Sequence, residues 1–296
     1  MAEDHRIGRS TLRGLPRATA APLVFGHRGY SALAPENTLP AFEAIRRHGV
    51  PGVELDAQLC ATGEVVVCHD ETLERVAGVD LRIKDTGYDE LRRLDVGSWF
   101  ADSFAGERLP RLQDVFDLLG DHVVYDIELK TRSTGEPARR LAESVIQLIE
   151  AHSIAHACIL SSFNPFAVWW SRRRTRRIPT ALIYTSAKDA PPAARFSASQ
   201  RILGNELLKP DRHVFAREIA RMRPPYPAVP RLVWTVDDPE EKRRIAAGKA
   251  EGAREPAAPR AGTAGAGRDA GPPTGSPLRV FGIISNDPLD LAGSRS

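Results

Sequence analysis

From residue 22 onward, apolar and polar positions follow two alternating rhythms. Short apolar runs at Leu23–Phe25, Gly52–Leu59, Glu64–His69, Val123–Lys130, Cys158–Phe163, Thr180–Tyr184, Ile202–Leu208, Leu232–Val236 and Val280–Ser285 have the length of buried strands. Between most of them, apolar residues recur at helical spacing. Residues 39–48 set Leu39, Phe42 and Ile45 on one face. Residues 111–119 do the same with Leu112, Val115, Phe116 and Leu119, and residues 138–151 with Leu141, Val145, Leu148 and Ile149. Thr38 can cap the first of these helices, Pro40 suits its first turn, and Gly49 suits its stop. A further helix is expected over 240–247.

Only residues 60–63 separate the second and third strand runs. A parallel crossover needs about a dozen residues or more, so these two runs must form an antiparallel hairpin. The remaining eight runs alternate with helices. That pattern predicts an α/β fold, a (β/α)8 TIM barrel with a short antiparallel hairpin after the second strand. The usual size of such a barrel is about 250 residues. The alternative is an open doubly wound sheet, but no GxGxxG or GxxxxGK[ST] motif opens a helix here.

Composition sharpens the domain picture. The chain has 296 residues, 42% hydrophobic and 27% charged, which is globular composition. Residues 1–21 contain no apolar core of about 7–15 residues, so no secretory signal is expected and the segment reads as a flexible N-terminus. The barrel domain is expected over 22–290, with a tail at 291–296. Residues 247–277 are low-complexity Ala, Gly and Pro and read as a disordered insertion. No stretch approaches about 18 apolar residues, so no transmembrane helix is expected. Three cysteines do not make a disulfide framework, and Cys60, Cys68 and Cys158 read as packing residues in a cytoplasmic protein. With 41 basic and 38 acidic residues, charge gives no reason to expect nucleic-acid binding. The most basic run, Arg172 to Arg177 after Trp169-Trp170, reads as a solvated helix face. Peripheral contact with a membrane surface or an acidic partner is its other reading.

The candidate chemistry lies in the strands. Residues i and i+2 share a face, so Glu54 and Asp56 point the same way, as do Asp126, Glu128 and Lys130. Barrel strands are buried on both faces, so such charges need partners or a metal. Three carboxylates at strand C-terminal ends suit a hard divalent cation, Mg²⁺ or Ca²⁺. A buried ion-pair network closed by Lys130 is the alternative. His27 follows the first strand, and His69 ends the hairpin's return strand, roughly opposite Asp56. Two histidines beside carboxylates suit proton transfer near neutral pH. Arg28, between His27 and Gly29, can grip a phosphate through two parallel hydrogen bonds. Asp70 can orient His69 or cap the following turn.

These pieces carry a family resemblance. FGHRGYSALAPENTLPAFEAIRRHG, followed by GVELDAQL and VVVCHDETLERV, resembles the glycerophosphodiester phosphodiesterase family. So do IELK at 127–130, SSF at 161–163, WTVDD at 234–238 and GIISNDP at 282–288, in the same order. The last departs from the family's usual pattern by having Ser285 before Asn286. The resemblance implies a barrel, a divalent metal and hydrolysis of glycerophosphodiesters to an alcohol and sn-glycerol 3-phosphate, within lipid metabolism. It implies Glu54, Asp56 and Glu128 as metal ligands and His27 and His69 as the acid/base pair. Arg28 and Lys130 would hold the phosphate. Asn37, beside Glu36 on the first loop, would be available to hydrogen-bond the ligand, and Phe163 and Trp234 would line the pocket. Two routes stay open: attack by the substrate's own glycerol hydroxyl through a cyclic phosphate, and direct attack by water. Two other functions also stay open. One is lysophospholipase D-like hydrolysis in the same site, and the other is a silent barrel that only binds anionic ligands.

Overall fold

A computed structural model describes residues 22–185, 204–221, 229–247 and 280–291. The expected N-terminal segment 1–21, all of the 247–277 insertion but Ala247, and the tail beyond Leu291 lie outside the described residues, as does the start of the strand expected at 202–208.

Among the described residues, nine strands form one sheet: β1 (Leu23–Gly26), β2 (Gly52–Leu59), β3 (Val65–Val67), β4 (Val124–Leu129), β5 (Cys158–Ser162), β6 (Thr180–Tyr184), β7 (Leu207–Pro210), β8 (Arg231–Val233) and β9 (Val280–Ser285). All except β3 pair in parallel, in the cyclic order β1-β2-β4-β5-β6-β7-β8-β9, and β9 returns to β1. This is the closed eight-stranded barrel that the alternation predicts. β2 meets β1 only through Gly52 and Val53. The rest of β2 outruns its neighbour, and β3 takes the exposed edge in antiparallel register, Ala57 with Val67 and Leu59 with Val65. The expected hairpin is therefore present.

Among the described residues, six main helices follow strands: α1 (Leu39–Arg47), α2 (Leu112–Leu119), α3 (Glu136–Ala151), α4 (Pro165–Arg174), α5 (Arg212–Arg221) and α6 (Pro239–Ala246). Thr38 does not cap α1 through its side chain; its hydroxyl donates instead to the Pro35 carbonyl at 2.6 Å. The helices bury their apolar stripes on the outer wall of the barrel, where Phe42, Ile45, Val115, Phe116, Leu141, Val145 and Ile149 join one core. Each large side chain so buried contributes about 1.5–3 kcal/mol. A separate apolar layer fills the lower barrel interior: Leu23, Phe25, Val124, Ile159, Ala181, Leu207, Leu232 and Ile284. Two residues further along β4 and β7 that interior turns from apolar to charged, as Val124 gives way to Asp126 and Leu207 to Lys209.

Two strands differ from the sequence reading. β7 runs Leu207–Pro210, two residues beyond the expected end, and stops at a proline that lacks an amide hydrogen. β8 covers Arg231–Val233, and Trp234 keeps only an isolated bridge to Asp211. The arginine run is also only partly a solvated face. Arg172 turns inward to Glu206, beside the start of β6, while Arg173 stacks over Trp169 and Arg174 pairs with Glu150. α4 starts after the C-terminal end of β5 and descends, so these arginines sit at the end of the barrel opposite the C-terminal strand ends.

Candidate active site

The segment after β1 makes a tight reversal. Arg28, Gly29 and Asn37 have φ values of 54°, 84° and 57°. The left-handed region is costly for a side chain as large as arginine, and such residues gather at functional sites. The turn aims backbone at the barrel axis: the Arg28 amide donates to Glu54 Oε2 at 3.1 Å, and the Gly29 amide donates to the Glu54 carbonyl at 3.2 Å. A Cβ at Gly29 would lie 2.7 Å from Ala41 Cβ and 2.9 Å from the Ala41 carbonyl carbon, so the motif's glycine is required by α1.

β2 and β4 supply the acids. Their register places Glu54 beside Asp126 and Asp56 beside Glu128, all buried. Glu54, Asp56 and Glu128 each offer an oxygen, and these oxygens lie within 4.8 Å of one another. Three convergent carboxylate oxygens on rigid strands fit a hard divalent cation. The alternative network is present as well. Lys130 Nζ lies 2.6 Å from Glu128 and 3.2 Å from Asp56, and Arg28 Nε lies 3.4 Å from Asp56. Burial pushes the Asp56 carboxyl up, but Lys130, Arg28 and His69 outweigh it and hold the group well below the usual carboxylate range. Lys130 is shifted up: burial disfavours its charge, and Asp56 and Glu128 more than offset that.

The two histidines flank this cluster. His27 Nε2 lies 3.9 Å from Glu54, and His69 Nδ1 lies 2.6 Å from Asp70. Asp70 therefore orients His69, and is itself held by Arg75 at 2.6 Å. Arg75 also grips Glu36, which accepts from Arg28 at 2.7 Å. Phe163 meets Trp234 edge-on, with ring centroids 5.5 Å apart, and Lys130 lies 5.9 Å from the Phe163 ring centre.

A cleft of ≈110 Å³ gathers all the sequence-predicted site residues except Asn37. Asn37 is buried and donates to Asp56 Oδ2 at 2.8 Å, the same oxygen that lies 3.4 Å from Arg28 Nε. Sequence reasoning also missed three residues. Lys209 enters the cleft from β7. Asn286 lies 2.7 Å from His27 Nδ1, and Asp237 accepts from Asn286 at 2.8 Å. The available signals were a lysine two positions after an inward leucine, and the SNDP and WTVDD motifs themselves.

An eight-stranded barrel with acids, histidines and fixed cations gathered at the C-terminal strand ends has the layout of a barrel enzyme, whose active site lies at that face. The model of the glycerophosphoryl diester phosphodiesterase family matches residues 27–253, and the chain belongs to that family. It is 37% identical over 163 residues to a glycerophosphodiester phosphodiesterase of Caldanaerobacter subterraneus, covering 55% of this chain. It is 31% identical over 153 residues to one of Bacillus subtilis, covering 48% of this chain. The matches span 66% and 52% of those relatives' own lengths. Among solved structures, an Oleispira antarctica phosphodiesterase in complex with the product sn-glycerol-3-phosphate shares the fold at a TM-score of 0.70 and 20% identity, over 92% of this chain and 96% of that one.

Proposed function

We propose that the chain hydrolyses glycerophosphodiesters to an alcohol and sn-glycerol 3-phosphate with the help of a divalent cation. The observation that carries this reading is the convergence of Glu54, Asp56 and Glu128 between His27 and His69, with Arg28 and Lys130 at the same cleft. Glu54, Asp56 and Glu128 would hold Mg²⁺ or Ca²⁺, which when bound supplies positive charge to a phosphodiester.

The chain's own residues would do the rest. Arg28 and Lys130 would neutralise the phosphoryl oxygens, and Asn37 would keep Asp56 in place. One histidine would take the proton of the attacking hydroxyl. The other would deliver a proton to the leaving alcohol oxygen as its bond to phosphorus breaks. A glycerol substrate carries its own hydroxyl beside the ester, and this favours attack through a cyclic phosphate that water then opens. Phe163 and Trp234 would shield the reacting centre from bulk water.

The test is release of glycerol phosphate from glycerophosphocholine with Mg²⁺, Ca²⁺ or chelator, for the natural chain, His27→Ala and Glu54→Ala. Turnover that requires metal and both side chains is expected. No turnover from folded protein with either metal rejects the reading. Rapid quench should trap a cyclic glycerol phosphate, and its absence would select direct attack by water.

A further inference from the structure

Lys209 is the one cation in the cleft that the reaction described above does not use. It is 2% exposed and lies below the predicted ligand cluster. Its ammonium stands among three oxygens: Asp126 Oδ2 at 2.8 Å, Ser161 Oγ at 3.3 Å and Glu54 Oε1 at 3.4 Å. These come from strands β4, β5 and β2, and Lys209 itself from β7. Asp126 is fully buried, and its Oδ1 has no hydrogen-bond partner among the described residues. A buried carboxylate left in this state needs a nearby positive charge.

The cluster thus has two storeys. Asp56 and Glu128 face Lys130 above, and Glu54 and Asp126 face Lys209 below. Four carboxylates in two adjacent layers are the kind of donor set that elsewhere holds two divalent ions about 3.5–4 Å apart. Here the lower set of oxygens is already taken by an ammonium. Glu54 spans the two storeys: Lys209 holds its Oε1 from below, and the Arg28 amide donates to its Oε2 at 3.1 Å.

We propose that Lys209 is a positioning residue that serves as a built-in second cation. It fills the lower oxygen site, limits the chain to one divalent ion, and fixes Glu54 so that Oε2 is the oxygen offered to that ion. This rests on the metal reading above. Lys209 touches neither the reacting atoms nor the ion; it acts through Glu54.

The test is Mn²⁺ binding to the full chain, by calorimetry and by electron paramagnetic resonance, with no substrate present. The natural chain should bind one Mn²⁺. K209M, which keeps the apolar stem and removes the charge, should bind two. One Mn²⁺ at unchanged affinity in folded K209M overturns the proposal, because Lys209 would then only neutralise Asp126. A natural chain that binds no Mn²⁺ rejects the metal reading itself, a distinguishable failure. Should K209M not fold, K209M/D126N removes the stranded charge and keeps the net charge. With the net charge unchanged and Glu54 no longer held from below, that variant should bind a single Mn²⁺ about tenfold more weakly, as expected for loss of a group that positions a ligand. Unchanged affinity in that variant also overturns the proposal.

Discussion

His27 Nδ1 and Asn286 Oδ1 lie 2.7 Å apart, although 259 positions separate the two residues along the chain. The amide of Asn286 is not free to turn, because its Nδ2 donates to Asp237 at 2.8 Å and a carboxylate can only accept. Oδ1 therefore faces the imidazole and accepts its Nδ1–H, which turns Nε2 toward the cleft and Glu54. The residue after the barrel's closing strand thus fixes the ring orientation of a residue on the opening loop.

Replacing Asn286 with Ala should release that ring. If His27 transfers the proton as proposed, kcat should fall by about 10–100-fold and KM should move less than about threefold, since binding groups stay in place while that ring loses its aim. Steady-state kinetics on glycerophosphocholine checks this, and Asp237→Ala should show the same split more weakly.

Gly29→Ala should destabilise the chain by more than about 2 kcal/mol. Its φ of 84° and the backbone carbon 2.9 Å from the added Cβ leave no side chain that can give way. Denaturant unfolding followed by circular dichroism would measure the loss. A variant as stable as the natural chain would show that α1 can shift outward.

Burial raises the Glu36 carboxyl, and Arg75 and Arg28 outweigh that, so the group sits below its ordinary range. A depressed folded-state value contributes stability above the unfolded carboxylate pKa, and that contribution is lost as pH falls through the folded value. Glu36→Gln should therefore lower Tm near neutral pH, and the difference from the natural chain should shrink in acid, below about pH 3. Calorimetric scans at the two pH values decide it.

The Cys68 thiol is pushed up to about 12, first by burial and then by Asp56 and Asp70. Burial likewise raises Cys158, and Cys60 is also buried. Iodoacetamide at mildly alkaline pH should leave all three thiols unmodified in the folded chain and label all three after denaturation, as read by mass spectrometry.

The barrel was legible because its evidence is local. A four-residue gap forced the hairpin, and i,i+2 pairs such as Glu54 with Asp56 announced charges on a buried face. The residues that escaped depend on register between distant strands. Lys209 was missed because the strand expected at 202–208 ended one residue short of it, although Leu207 already marked the inward face. The hydrogen bond from Asn37 to Asp56 also escapes the sequence, since it needs the left-handed turn at Arg28 and Asn37 to bring the first loop over β2. The chain from His27 through Asn286 to Asp237 cannot be inferred from spacing, since it exists only once β9 lies between β1 and β8.

The descent of α4 carries a consequence for how the chain meets a surface. Its arginines lie at the foot of the barrel, where Arg172 is tied to Glu206, whereas the cleft opens at the other end. A flat anionic sheet resting on Arg173 and Arg174 would face the plugged floor of the cylinder and leave the opening turned toward bulk water. Docked that way, the protein could take dissolved molecules but could not draw lipids directly out of the layer it stands on.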